Sequence, residues 1–182
     1  MAERYQATAD GLVEFVKRCY SSPNIYLWCG VGEYITDEVL DEKKAASPGW
    51  YTKERQRVRR EMVGHNVRGW DCIGLIQSYT WGDYHQNNTR YCWPEEFLTT
   101  SKLIKMDLVK GDISTLPERP GLVLWREHHV GVYIGNGEVI ECTSRILNGT
   151  QKGEHGIVGG IVKTKLEDLD WAVWLQFPGI EY

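Results

Sequence analysis

The sequence has no surplus of positive charge: 21 lysines and arginines face 25 aspartates and glutamates, for a formal net charge of −4. Nucleic-acid binders usually carry a basic face, so that class is set aside. No apolar run is long enough to span a membrane, so no membrane role is expected. Residues Met1 to Asp10 show no hydrophobic stretch behind a basic start, and no signal peptide is expected. The chain is therefore expected to be made in the cytoplasm, with its thiols reduced. Cysteine is sparse and unpatterned. Cys19, Cys29, Cys72, Cys92 and Cys142 are odd in number and form no CxxC pair, which argues against a disulfide framework and against a structural zinc site. What the chain has in quantity is aromatic, with 8 tryptophans and 10 tyrosines. Such residues suit a carbohydrate or peptide groove and a packed core alike. A length of 182 residues suits one domain with a sizeable core.

One of the five cysteines stands apart. Trp70-Asp71-Cys72-Ile73-Gly74-Leu75-Ile76 places Cys72 on the first turn of an apolar helix, with Asp71 as N-cap. Leu75, Ile76 and Tyr79 recur at helical spacing and define a buried face. The helix dipole favours a negatively charged sulfur there, but by under about 1 kcal/mol at an exposed site, too little to activate a thiol alone. An imidazolium partner is needed to draw the thiol pKa down, and His129, opening His129-Val130-Gly131-Val132-Tyr133-Ile134-Gly135, is the candidate. The plainer reading of Cys72 is a small buried hydrophobe.

Around this pair the chain changes texture once. Residues from about Ala7 to Tyr20 predict an amphipathic helix burying Leu12, Val13, Phe15, Val16 and Cys19, stopped by Ser21-Ser22-Pro23-Asn24. Ile25 to Gly32 is an apolar run closing in glycines, a sign of close backbone packing. Residues 33–69 are charged and predict an inserted pair of helices, opened by Thr36 and Thr52 and separated by Ser47-Pro48-Gly49. The basic run Lys53 to Arg60 alternates with acids and reads as a solvated face, with a clamp over substrate as the alternative. A further short helix is expected from Pro94. Strands are expected at 122–125, 130–134, 139–142, 161–165 and 172–177, with Gly135-Asn136-Gly137 as a hairpin turn. Helices first and strands afterwards imply an α+β fold with an antiparallel sheet, and no linker divides the chain.

A thiolate nucleophile needs a base, a group that orients the base, and donors for the developing oxyanion. Packing the helix on the sheet can bring Cys72 to His129. Counting outward from the Gly135-Asn136-Gly137 turn puts Glu141 beside His129, where a carboxylate fixes the tautomer and favours the imidazolium. The backbone N–H of Cys72 is the natural oxyanion donor. His128 should point to the opposite face of the sheet, into solvent. His155 reads as a loop residue. A zinc set of His128, His129, Glu141 and Cys142 lacks the spacing of a known site. Asn87-Asn88-Thr89 and Asn148-Gly149-Thr150 fit the glycosylation pattern but carry no weight without a signal peptide.

These motifs also carry a family resemblance. Asp71-Cys72-Ile73-Gly74-Leu75-Ile76 resembles the Asp-Cys-Ser-Gly-Leu motif of the NlpC-type cell-wall cysteine peptidases. His129 to Gly137 resembles that family's His-Val-Gly-Ile-Tyr-x-Gly-x-Gly, and Tyr26-Leu27-Trp28-Cys29-Gly30 resembles its Tyr-Val-Trp-Gly-Gly. The three stand in the family's order and span about residues 7 to 177, with an insertion like that of members from bacteriophages and mobile elements. The resemblance implies a papain-like α+β core across residues 1–182, with the catalytic cysteine at a helix N-terminus packed on an antiparallel sheet. It implies hydrolysis of an amide in the peptidoglycan stem peptide, commonly between D-glutamate and the following diamino acid. Cys72 would be nucleophile, His129 general base and Glu141 the orienting group, a position more often histidine in the family. Tyr26, Trp28 and Asp71 would meet substrate, Asp71 by approaching its amine. No metal or organic cofactor is implied. Ile73 stands where the family has serine and Cys29 where it has glycine, departures that bear on substrate choice more than on chemistry.

On this reading the protein is an endolysin-like hydrolase that reaches the wall after release from the cytoplasm. A secreted antibacterial effector, which would come with an immunity protein, fits the same residues. Other readings are a CHAP-type amidase cutting between muramic acid and L-alanine, a wall-binding module that has lost its catalysis, and an acyltransferase on the same scaffold.

Overall fold

The computed structural model describes residues 6–83, 97–144 and 159–182. Cys92, the short helix expected from Pro94, His155 and both glycosylation-type triplets lie outside the described residues. In chain order the elements are β1 (Ala7–Thr8), α1 (Ala9–Tyr20), β2 (Asn24–Tyr26), β3 (Val31–Tyr34), α2 (Asp37–Ala46), α3 (Lys53–Arg60), β4 (Arg68–Trp70) and α4 (Cys72–Thr80). They continue as α5 (Thr100–Leu103), β5 (Lys110–Asp112), β6 (Val123–Arg126), β7 (His129–Gly135), β8 (Glu138–Thr143), β9 (Gly160–Lys165), β10 (Val173–Leu175) and β11 (Ile180–Glu181). The fold is mixed α and β. Its main sheet has the order β5-β10-β6-β7-β8-β9, antiparallel at every step.

Local chemistry accounts for the helices. Thr8 Oγ1 accepts from the Gly11 N–H at the start of α1, and the face carrying Leu12, Val13, Phe15, Val16 and Cys19 is buried, as the 3.6-residue period predicts. Thr36 and Thr52 cap α2 and α3 in the same way. Helix α4 differs, because every residue from Cys72 to Tyr79 is buried and no amphipathic stripe remains. It lies between α1 and the central strands, with Leu75 and Ile76 among Phe15, Val130, Val132 and Ile140.

Two close approaches fix where α4 sits. A Cβ added at Gly74 would lie 1.9 Å from the Gly30 carbonyl oxygen, so only glycine lets helix and turn meet. A Cβ at Gly11 would lie 2.1 Å from the Tyr79 hydroxyl, where α1 crosses α4. That hydroxyl accepts from the Thr8 N–H and donates to the Thr8 carbonyl, both at 3.0 Å.

A three-stranded sheet, β2-β4-β3, was not foreseen in the sequence. Its strands have three or four residues, too short for a period-2 pattern to register. The stretch expected as a helical insertion does contain α2 and α3, but its two ends are strand residues of β3 and β4. It is therefore stitched into a sheet on both sides. The Lys53–Arg60 expectation also needs correcting. Arg57 and Arg60 are outward and paired with acids, but Arg59 is 1% exposed. Its guanidinium donates twice to the Tyr26 carbonyl, at 2.9 and 3.2 Å, and stacks on Trp50. The helix is anchored to β2 by a buried cation.

The hairpin between β7 and β8 has Asn136 and Gly137 in the left-handed region that such turns require. The β7–β8 register shifts by a bulge between Tyr133 and Gly135, and Val132 faces Ile140.

Candidate functional site

Strand β4 passes into α4 at Asp71, and this junction places the sulfur. The Asp71 N–H donates to the Gly30 carbonyl, and Asp71 Oδ1 accepts from the Gly74 N–H at 2.6 Å. Cys72 therefore begins the helix against the 27–30 turn, 9% exposed at the floor of a cavity of about 200 Å³. Tyr26, Trp28, Arg126, His128, His129, Glu141 and Leu169 also line this cavity.

His129 opens β7, and its Nε2 meets Glu141 Oε2 in a short charge-assisted contact. Extending the register from Val132 and Ile140 sets Glu141 beside Gly131, diagonal to His129 rather than straight across. Gly131 makes this diagonal passable. A Cβ there would lie 2.8 Å from Val139 and 2.9 Å from Trp171, so glycine leaves room for the indole to slide beneath the imidazole. Trp171 stacks on His129 with ring centres 5.7 Å apart and planes 20° from parallel. Glu141 is 1% exposed, and its second oxygen accepts from Thr164 Oγ1 at 2.8 Å. Both oxygens of the carboxylate are occupied, which holds it in one orientation. With Nε2 committed to Glu141, Nδ1 is the imidazole nitrogen left to face a substrate or a thiol.

The electrostatics of Cys72 correct the ion-pair expectation. Burial, and then the neighbouring Asp71 carboxylate, push its thiol up to about 12. Backbone N–H groups of Val130, Ile73 and Cys72 itself pull in the other direction and do not prevail. Among the described residues the imidazole contacts the Glu141 carboxylate, and no hydrogen bond joins it to the sulfur. At rest, Cys72 is a thiol.

Asp71 also sits differently from its expected place. Its carboxylate is buried beneath the Cys29–Gly30 turn and does not line the cavity, so it does not stand where a substrate amine could reach it. Burial pushes its carboxyl up to about 7, against the Gly74 and Cys29 N–H groups and the Lys43 ammonium, with the Glu33 carboxylate adding to the rise. Asp71 is a structural cap. Tyr26 and Trp28 do line the cavity, and burial raises the Tyr26 phenol well above its usual value. Trp28 is 41% exposed at the rim and stacks on Trp50, ring centres 6.0 Å apart.

The departures from the resembled motifs have plain locations. Ile73 is buried in the core behind the helix and does not face the cavity. Cys29 adopts φ +57, a left-handed conformation natural to glycine, and burial pushes its thiol up to about 11. His128 is solvent-exposed as expected, its side chain 79% exposed, but it occupies the β6–β7 turn at φ +63 rather than the far face of the sheet. Among the described residues no group of three or more His, Cys, Asp or Glu side chains is arranged to hold a metal ion.

Three residues around the site were missed from sequence. Thr164 carried a signal, a polar residue in register with the apolar Val162 of β9. Trp171 carried none, since it lies outside the strand and reaches His129 only through the fold. Arg126 lies one residue past the strand expected at 122–125 and carried no signal of its own. The chain matches no protein-family model, no curated protein and no solved structure.

Proposed function

We propose that the protein is a cysteine peptidase that cleaves an amide bond of the peptidoglycan stem peptide, in the NlpC manner, between D-glutamate and the following diamino acid. The observation that carries the reading is one cavity lined by a cysteine at a helix start and by a histidine whose far nitrogen is held by a buried carboxylate. The three motifs in family order supply the substrate class. The packing of α4 against an antiparallel sheet agrees with a papain-like core.

In this mechanism Cys72 Sγ attacks the amide carbonyl while His129 Nδ1 takes its proton. A thiol held near 12 does not ionise in advance, so proton transfer accompanies attack. The Glu141 carboxylate stabilises the imidazolium as it forms, and the Cys72 backbone N–H faces the developing oxyanion. His129 then protonates the departing amine, leaving a thioester on Cys72. Water, deprotonated by His129, attacks that thioester and releases the carboxylic acid and the free thiol. No metal or organic cofactor takes part. The substrate lies in the cell wall, so the protein acts there after release or delivery.

Digestion of purified muropeptides with mass analysis of the products tests this. New D-glutamyl carboxyl and diamino-acid amino termini are expected, and Cys72→Ser and His129→Ala each lose several orders of magnitude in rate. Release of L-alanine amino termini would move the reading to a muramoyl amidase. Full activity in either variant would end it.

A further inference from the structure

Arg126 ends β6 and leads through the turn Glu127-His128 into His129. Antiparallel pairing sets Arg126 and His129 directly across from one another, so both side chains leave the same face of the sheet. Both line the cavity that holds Cys72. The Arg126 side chain is half-buried, and among the described residues it forms no ion pair.

Among the described residues, neither carboxylate that lines the cavity forms an ion pair with Arg126. Glu141 spends one oxygen on His129 and the other on Thr164. Glu127 is 84% exposed and lies 3.6 Å from His128. The chain's other well-placed guanidiniums are satisfied: Arg57, Arg60 and Arg68 each reach a carboxylate, and Arg59 takes the Tyr26 carbonyl. A cation partly withdrawn from water beside a nucleophile, with no counter-charge among the described residues, is left for a ligand to complete. A carboxylate matches the planar guanidinium with two parallel N–H···O bonds.

We propose that Arg126 is a specificity residue that receives a carboxylate flanking the scissile amide, so that acidic peptides are the preferred substrates. This rests on the reading of the cavity as a peptidase site. In a γ-linked D-glutamyl peptide the α-carboxylate stays free beside the cleaved bond. Amidation converts it to a neutral carboxamide that keeps the shape and loses the charge. Arg126 distinguishes these two forms of the same stem peptide.

Calorimetric binding to the Cys72→Ala protein tests the proposal apart from turnover, using one stem tetrapeptide in three forms: unmodified, amidated at the D-glutamyl α-carboxylate, and amidated at the diaminopimelate carboxylate. Amidation of the D-glutamyl α-carboxylate is expected to weaken binding about 10-fold and amidation of the diaminopimelate carboxylate to leave it unchanged; the reverse pattern overturns the proposal. Adding Arg126→Gln is expected to make all three forms bind alike, and Arg126→Lys to restore part of the preference. In the wild type the same amidation raises KM by a similar factor and leaves kcat nearly unchanged. Equal binding of all three peptides, or an undiminished preference in the Arg126→Gln protein, overturns the proposal. Hydrolysis with no charge preference removes Arg126 while the peptidase reading stands. Charge-selective binding without hydrolysis by the wild type does the reverse.

Discussion

Glu141→Gln is the sharpest probe of the site, because it keeps the shape of the side chain and removes only its charge. Glutamine can still accept from Thr164 through its amide oxygen, so the strand contact that orients it survives. What is lost is the negative partner of an imidazole whose Nε2 it touches, at a carboxylate only 1% exposed. Breaking one side of a buried ion pair costs about 3–5 kcal/mol. If that interaction is felt mainly when His129 carries the thiol proton, it falls on the transition state and slows the reaction about 150- to 5,000-fold. The glutamine amide can also hold Nε2 unprotonated, which sets the proton on Nδ1 and removes the base from the sulfur. Two assays read this. Muropeptide hydrolysis gives kcat/KM, and alkylation of Cys72 by iodoacetamide, followed by mass mapping, reports activation of the thiol with no substrate present. Both are expected to fall while the urea-unfolding midpoint changes little. Activity and alkylation within a few-fold of wild type would show that Glu141 does not orient the base.

Asp71 gives a pH-dependent outcome. Burial pushes its carboxyl up to about 7 from an ordinary 3.8, so between these values the folded protein keeps a proton that the unfolded chain has released. The stability tied to this group is full below the unfolded value and is lost as pH rises through the folded one. Asp71→Asn is expected to flatten that decline in urea-unfolding midpoints taken between about pH 4 and 8. It also removes the charge that helps hold the Cys72 thiol near 12, so alkylation at Cys72 should begin at lower pH. Unchanged profiles in both measurements would refute the burial of this carboxylate. Gly74→Ala would set a methyl 1.9 Å from the Gly30 oxygen and is expected to cost about 3 kcal/mol or more, with thermal melting as the check. A melting point equal to wild type would show that the helix does not approach the turn so closely.

Much of the architecture was legible because it rests on local chemistry. The apolar period of α1, the threonine caps of α2 and α3, and the Gly135-Asn136-Gly137 hairpin each carry their own signal within a few residues. Glu141 could be placed near His129 by counting from that hairpin. Its diagonal position could not, since the bulge at Tyr133 and the empty surface of Gly131 belong to the fold. The short strands β2, β3 and β4 gave no periodic pattern to read. The ionisation of Cys72 was misjudged for a related reason. A histidine partner can be argued from sequence, but the desolvation that keeps the sulfur a thiol depends on how deeply α4 is packed. Asp71 was misplaced likewise, because a capping side chain and a substrate-facing one look identical until the Cys29–Gly30 turn is seen to cover it.

The anchoring of α3 by Arg59 has an effect on the mouth of the cavity. The carbonyl that Arg59 grips belongs to Tyr26, whose own side chain forms part of the cavity wall, and the tryptophan it stacks on backs Trp28 at the rim. Loosening the two helices would therefore slacken that wall, even though neither helix supplies a reacting atom. Lineages could widen or narrow the entrance by rewriting residues 37 to 60 alone, leaving the sulfur, the imidazole and their supports untouched.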